Sequence, residues 1–157
     1  MREYCGRRSL ESVAQLTREH DTVVGLSGAV RSAHRDGDVA RTARAARENA
    51  AVLAPHTRIE EHGSFPAPAE EFPDHIAVLE AEHRTVEAVP EEAATTVPAD
   101  PGWPERLLDA PALLREHVLE EQDGVFPAAP ASPTADRWEA VEAVRARVGT
   151  RLPERTA

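Results

Sequence analysis

The sequence predicts an all-α fold: an antiparallel up-down four-helix bundle with an additional C-terminal helix. Three observations point there. Apolar residues recur at steps of three and four along the chain. No alternating Val/Ile/Thr/aromatic run lies between tight turns, so strand signals are missing. Proline- and glycine-rich breaks divide the chain into five helical lengths.

The first helix is expected over about 9–35, with Val13, Leu16, His20, Val23, Ser27 and Val30 along one stripe. It ends at Asp36-Gly37-Asp38, where Asp38 is a candidate N-cap for the next helix. The second spans about 39–64, kinked at Pro55, and stops before Phe65-Pro66-Ala67-Pro68. The third spans about 69–89 and stops at Pro90; residues 91–103, with Pro98, Pro101 and Gly102, form a loop. The fourth spans about 104–125 and bends at Pro111. Residues 127–133 read as a linker, and a fifth helix over about 134–148 aligns Trp138, Val141, Val144 and Val148. This gives a bundle domain over 1–128 with a short N-terminal extension. Residues 129–157 follow as a linker and a C-terminal helix, expected to cap the bundle or form an interface.

Composition narrows the chemistry. The chain has 157 residues and a formal net charge of −10, with 18 basic side chains against 28 acidic ones. All the basic residues are Arg, which removes lysine Schiff bases, P-loop lysines and lysine general bases. Cys5 is the single cysteine, so an internal disulfide, a cysteine-based zinc site and an iron–sulfur cluster are excluded. The acidic balance argues against nucleic acid as a partner. No apolar run is long enough for a membrane span, and the N-terminus lacks the apolar stretch of a signal peptide, so the expected compartment is the cytoplasm.

The chain also repeats itself, in residues of metal-ligand type. His56-Thr-Arg-Ile-Glu60, followed by Phe65-Pro66-Ala67, matches His117-Val-Leu-Glu-Glu121, followed by Phe126-Pro127-Ala128, at an offset of 61. Leu16, Glu19 and His20 match Leu79, Glu82 and His83 at an offset of 63. Residues at i and i+4 of a helix share a face, about 6 Å apart along its axis. His56 can therefore point where Glu60 points, and His117 where Glu121 points. His20 and His83 fall on apolar stripes. Packing the two hairpins together gathers four imidazoles and two carboxylates in one interior. Burying those carboxylates alone is very costly, and two divalent metals provide the compensation. Nitrogen-rich ligation with bridging carboxylates suits iron more than magnesium or calcium.

The segments Leu-Thr-Arg-Glu-His20, His56-Thr-Arg-Ile-Glu-Glu-His-Gly-Ser-Phe-Pro, Leu-Glu-Ala-Glu-His83 and His117-Val-Leu-Glu-Glu-Gln-Asp-Gly-Val-Phe-Pro resemble the hemerythrin, or HHE cation-binding, family over about 10–128. The resemblance implies a four-helix bundle around a non-haem diiron centre. It implies His20 and His56 on one iron, His83 and His117 on the other, and Glu60 and Glu121 bridging them, with an oxo, hydroxo or water ligand completing the core. Oxygen-carrying hemerythrins have a fifth histidine one turn before the third-helix ligand, where this chain has Leu79. Their fourth-helix carboxylate follows its histidine by five residues, against four here. The near-symmetric set is similar to that of repair-of-iron-centres proteins and many bacterial HHE domains. Fewer histidines leave more open coordination, which favours reaction with a small oxidant.

Other candidates are weaker. His34 lies about 21 Å along the helix from His20, too far to share the site. His62 points away from His56 and reads as surface. His75, about 12 Å from His83, reads as a rim residue. Glu87 reads as solvated, with a free position on the second iron as its alternative. Glu19, Glu82 and Glu116 precede proposed ligands and, being about 100° away on the helical wheel, read mostly as surface charges. Gly25 and Gly28 are expected to permit close packing or to leave a small pocket. Tyr4 and Cys5 lie before the bundle and carry no role. The leading function is a diiron protein that binds or senses O2, NO or peroxide. Alternatives are a diiron oxidase, peroxidase or NO reductase, and an iron storage, delivery or sensing protein.

Overall fold

The computed structural model describes the backbone of residues 2–125 and 135–150, and the side chains of residues 11–123 and 138–150. Among the described residues every regular element is helical: α1 (Arg2–Arg35), α2 (Val39–Ile59), a π-helical turn π1 (Glu60–Ser64), α3 (Pro66–Glu71), α4 (Pro73–Glu91), α5 (Trp103–Glu120), a second turn π2 (Glu121–Val125) and α6 (Ala135–Val148). None of these helices is long and apolar enough to cross a membrane. The expected linker at 127–133 and the second Phe-Pro-Ala at 126–128 lie outside the described residues.

The helix ends follow their local chemistry. Gly37, at φ 70°, ends α1 in the left-handed region. Its N–H donates to His34 O (2.9 Å), and Asp38 N–H donates to Ala33 O (3.1 Å). That is the paired closure of a Schellman motif. Asp38 then caps α2, its Oδ1 accepting from Arg41 N–H at 2.9 Å, as the sequence predicts.

Three boundaries differ from expectation. α1 begins at Arg2 rather than near residue 9, because nothing stronger than Gly6 interrupts the helix-forming residues before it. The segment after Phe65 is a short helix, α3, and the break falls at Phe72. Pro66 and Pro73 sit in the first turns of α3 and α4, where a proline lacks nothing the helix needs. Both α2 and α5 end in π turns, the first closed by Phe65 N–H to Glu60 O at 2.8 Å.

α1 and α4 each pack on both α2 and α5. Their shared interior is layered. Leu16, Ile59, Phe65, Ile76 and Leu79 form one apolar layer, with Trp138, Val141 and Val144 of α6 joined to it. Val23, Val52, Leu53, Val86 and Leu114 form a second. Val30, Ala43, Ala46, Trp103 and Leu107 belong to a third. By residue number, α1 meets these layers in that order and α2 in reverse; α4 runs from the first through the second to half-buried Val89 at the third, and α5 from the third to the second. The four buried histidines fall between the first two layers, whereas buried Ser27 and Asn49 fall between the second and third.

α6 packs against π1, α2 and α1. Gly63 makes that approach possible: a Cβ there would stand 2.8 Å from Val141 Cα. Gly25 and Gly28, by contrast, have nothing within 4 Å of a Cβ. They serve neither close packing nor a pocket, because both lie on the exposed side of α1.

Candidate metal centre

Each residue of the predicted set is brought into the gap between the first two layers. His20, His56, His83 and His117 are at most 2 % exposed, and Glu60 and Glu121 are fully buried. α1 supplies His20 and α4 supplies His83, each one turn after a buried leucine, Leu16 and Leu79. α2 and α5 supply His56 and His117 in their last turns. Glu60 and Glu121 open π1 and π2.

The atoms converge in two groups. His20 Nε2 lies 2.8 Å from His56 Nε2, and His83 Nε2 lies 2.8 Å from His117 Nε2. Both carboxylates span the two pairs. Glu60 Oε1 stands 3.0 Å from His56 Nε2 and 3.5 Å from His20 Nε2, while its Oε2 is 3.1 Å from His83 Nε2. Glu121 Oε1 stands 2.8 Å from His117 Nε2, while its Oε2 is 3.1 Å from His20 Nε2. Ligand atoms of His20, His56 and Glu60 lie within 4.8 Å of one another, as do those of Glu60, His83, His117 and Glu121.

Carboxylates on the far side fix the imidazoles. Glu19 accepts from His56 Nδ1 (2.7 Å), Glu82 from His117 Nδ1 (2.8 Å) and Glu61 from His83 Nδ1 (2.9 Å). An imidazole that gives its Nδ1 proton to a carboxylate turns a lone pair inward at Nε2. With neutral rings, Nε2 of His83 would therefore face Nε2 of His117 as lone pair against lone pair, 2.8 Å apart. No oxygen of Glu60 or Glu121 makes a well-formed hydrogen bond, although imidazole nitrogens stand close by. Inward lone pairs and unsatisfied buried carboxylates are the donor set of a cation site, and the chemistry fits metal. Phe65 stacks on His83, with ring centroids 5.5 Å apart at 14°, which gives the first Phe-Pro-Ala a packing role.

Without metal, protons take the cations' place. Burial disfavours the His83 imidazolium, yet Glu121, Glu60 and Glu61 push its pKa up to about 12. Burial likewise opposes charge on His56, but Glu60 and Glu19 raise it to about 10. His20 and His117 also move up, against burial, through Glu121 and its neighbours. Burial would raise both glutamates; His56 and the other imidazoles hold Glu60 well below the usual carboxylate range. Glu121 is also lowered, against both burial and the Glu60 charge, by His117, His20 and His83.

The remaining candidates divide. His62, His75 and Glu116 are exposed, as expected. His34 lies 3.7 Å from Glu105, remote from the centre in sequence and layer. Glu87 is not simply solvated: it accepts a short hydrogen bond from Thr57 Oγ1, and burial pushes its pKa up against that bond. Glu87 lines a groove of about 280 Å³ with Thr57, Glu61 and His62. The expectation of surface charges fails for Glu19, which is 2 % exposed, and for Glu82. A 100° offset from a ligand aims a side chain at the neighbouring helix rather than at water. Spacing along the sequence singles out neither Glu61 nor Arg145. The repeat contained a signal for Glu19 and Glu82, which share one offset, but none for Glu61, whose counterpart is Gln122.

A helical fold enclosing a buried imidazole–carboxylate cluster defines a cation-binding helical domain. The family model for the Hemerythrin HHE cation binding domain matches residues 11–129, and the chain belongs to that family. Neither the curated proteins nor the solved structures give a match to the chain.

Proposed function

We propose that the chain is a non-haem diiron protein that binds or senses O2, NO or peroxide. In this reading α1, α2, α4 and α5 form an antiparallel up-down bundle within a domain over residues 1–128, and residues 129–157 add a linker and helix. The reversed order of apolar layers along successive helices supports that arrangement. His20 and His56 would hold one iron, His83 and His117 the other, with Glu60 and Glu121 shared. The observation that carries the reading is the split carboxylate: Glu60 offers one oxygen to each imidazole pair, and so does Glu121.

Bound iron would supply reversible one-electron chemistry and a place for a small ligand. The chain's own residues do the rest. Leu16, Leu79, Val23 and Leu114 keep water from the layer on both sides. Glu19, Glu61 and Glu82 hold the Nδ1 protons and so keep the Nε2 lone pairs directed inward. Leu79, fully buried where oxygen carriers place a fifth histidine, leaves the His83 half with one donor fewer. That same observation favours a second reading, turnover of peroxide or NO with a reductant.

The test is an optical titration of anaerobically iron-loaded protein with oxygen, followed by oxygen removal. A charge-transfer spectrum that appears and reverses supports binding or sensing. One that persists shifts the weight to the enzymatic reading, tested by repeated consumption of peroxide or NO. Glu60→Ala and His117→Ala are each expected to lose iron; two irons retained per chain in both would overturn the ligand assignment.

A further inference from the structure

The proposed ligands obey the sequence repeat, but their surroundings do not. Glu19 and Glu82 are repeat-related, and each takes the Nδ1 proton of a histidine on a neighbouring helix. Glu19 has additional partners. Arg145 Nη1 of α6 lies 2.5 Å from its Oε1, and Thr150 Oγ1 donates to the same oxygen at 3.0 Å. Glu19 is 2 % exposed and Arg145 15 %, so the ion pair is largely withdrawn from water. Glu82 and Glu61, on the other half, are 18 % and 27 % exposed. Among the described residues neither has an arginine within ion-pair distance. The difference comes from α6, which lies outside the repeat.

A carboxylate bound to the Nδ1 proton makes an imidazole a stronger donor, which favours the more positive state of a bound metal. An arginine on that carboxylate draws its charge away, in a charge-assisted bond little screened by solvent. We infer that Arg145 is a positioning residue that acts through Glu19 on His56 and makes the two metal positions unequal, the one at His20 and His56 being the more easily reduced. The inference rests on the diiron reading above. It extends that reading by giving the appended helix a part in setting the centre's redox behaviour.

The experiment is a stepwise reduction of the iron-loaded full chain by dithionite with mediators, followed by electron paramagnetic resonance of the mixed-valence state. Each ferric ion takes one electron as dithionite is oxidised to sulfite. The wild-type chain should accumulate the one-electron-reduced state. Arg145→Gln should lower the comproportionation constant about tenfold, an effect of the size that loss of an outer partner has on metal affinity. Arg145→Lys, which keeps the charge, should restore most of it. Thr150→Val removes one hydrogen bond without altering the apolar face of α6, and should shift the constant less, in the same direction. It decides the matter should Arg145→Gln fail to fold. A merely structural Arg145 would change the melting temperature and leave the constant alone. An unchanged constant in folded Arg145→Gln, or in Thr150→Val where only that variant folds, overturns the inference. Failure of the wild-type chain to bind two irons is a separate result, which removes the diiron reading before any variant is compared.

Discussion

Glu19 and Glu82 each stand one residue before a proposed ligand, yet each serves the histidine of another helix. Removing such a partner frees the imidazole to rotate or to change tautomer, which typically costs 10–100-fold in metal affinity. Glu19→Ala and Glu82→Ala should therefore each weaken iron binding by about 10- to 100-fold in a competition titration with a chelator. Glu116→Ala, altering an exposed side chain, should leave it unchanged. The contrast shows what a single sequence conveys at this scale. His20, His56, Glu60, His83, His117 and Glu121 are legible because a four-residue spacing on one helix fixes a shared direction without knowledge of any neighbour. The roles of Glu19, Glu61 and Arg145 are not, because their partners lie 37, 22 and 126 residues away. Which seam between helices they enter depends on how the helices pack.

Glycine separates the elements that tolerate change from those that do not. Gly25 and Gly28 face open space on α1. Replacing either by Ala should stabilise the helix by about 1 kcal/mol, the difference in helix propensity, read as a rise in chemical-denaturation midpoint with unchanged slope. Gly63→Ala should do the opposite, because its Cβ meets Val141 backbone rather than a movable side-chain tip. The expected readout is faster hydrogen exchange across α6 with the rest of the chain less affected. Most helix boundaries are visible in the sequence because caps and breakers act locally, as Asp38 and Gly37 do. The π turns at Glu60 and Glu121 are not visible. Each is an α-helix widened by one residue, and side-chain spacing over five residues barely registers that change. The length of α3 is hidden for a related reason, since proline signals a helix start as readily as a stop.

Across the whole molecule, the centre is a store of charge held between apolar layers, and protons and metal compete for it. The sign of the competition follows from the shifts. His56 and His83 are raised to about 10 and about 12 from an ordinary 6.5. In the metal-free protein their stabilising contribution is complete below 6.5 and is lost as pH rises toward those values. Glu60 and Glu121 are lowered from 4.5, so their contribution is present above 4.5 and is lost as pH falls through their depressed values. The metal-free centre is therefore best satisfied between about 4.5 and 6.5, with imidazolium facing carboxylate. Metal requires neutral imidazoles, so loading releases protons and grows more favourable as pH rises. The gap in melting temperature between loaded and metal-free protein should then widen steadily from pH 6 to pH 9, with net proton release on loading measurable by calorimetry in two buffers of different ionisation enthalpy. A gap independent of pH would mean that these histidines do not exchange protons for metal. The same balance explains why a fold with two fully buried glutamates need not collapse when its metal is removed near neutral pH. The protons held by His56 and His83 replace the missing charge, and only at alkaline pH does the interior lose both kinds of cation.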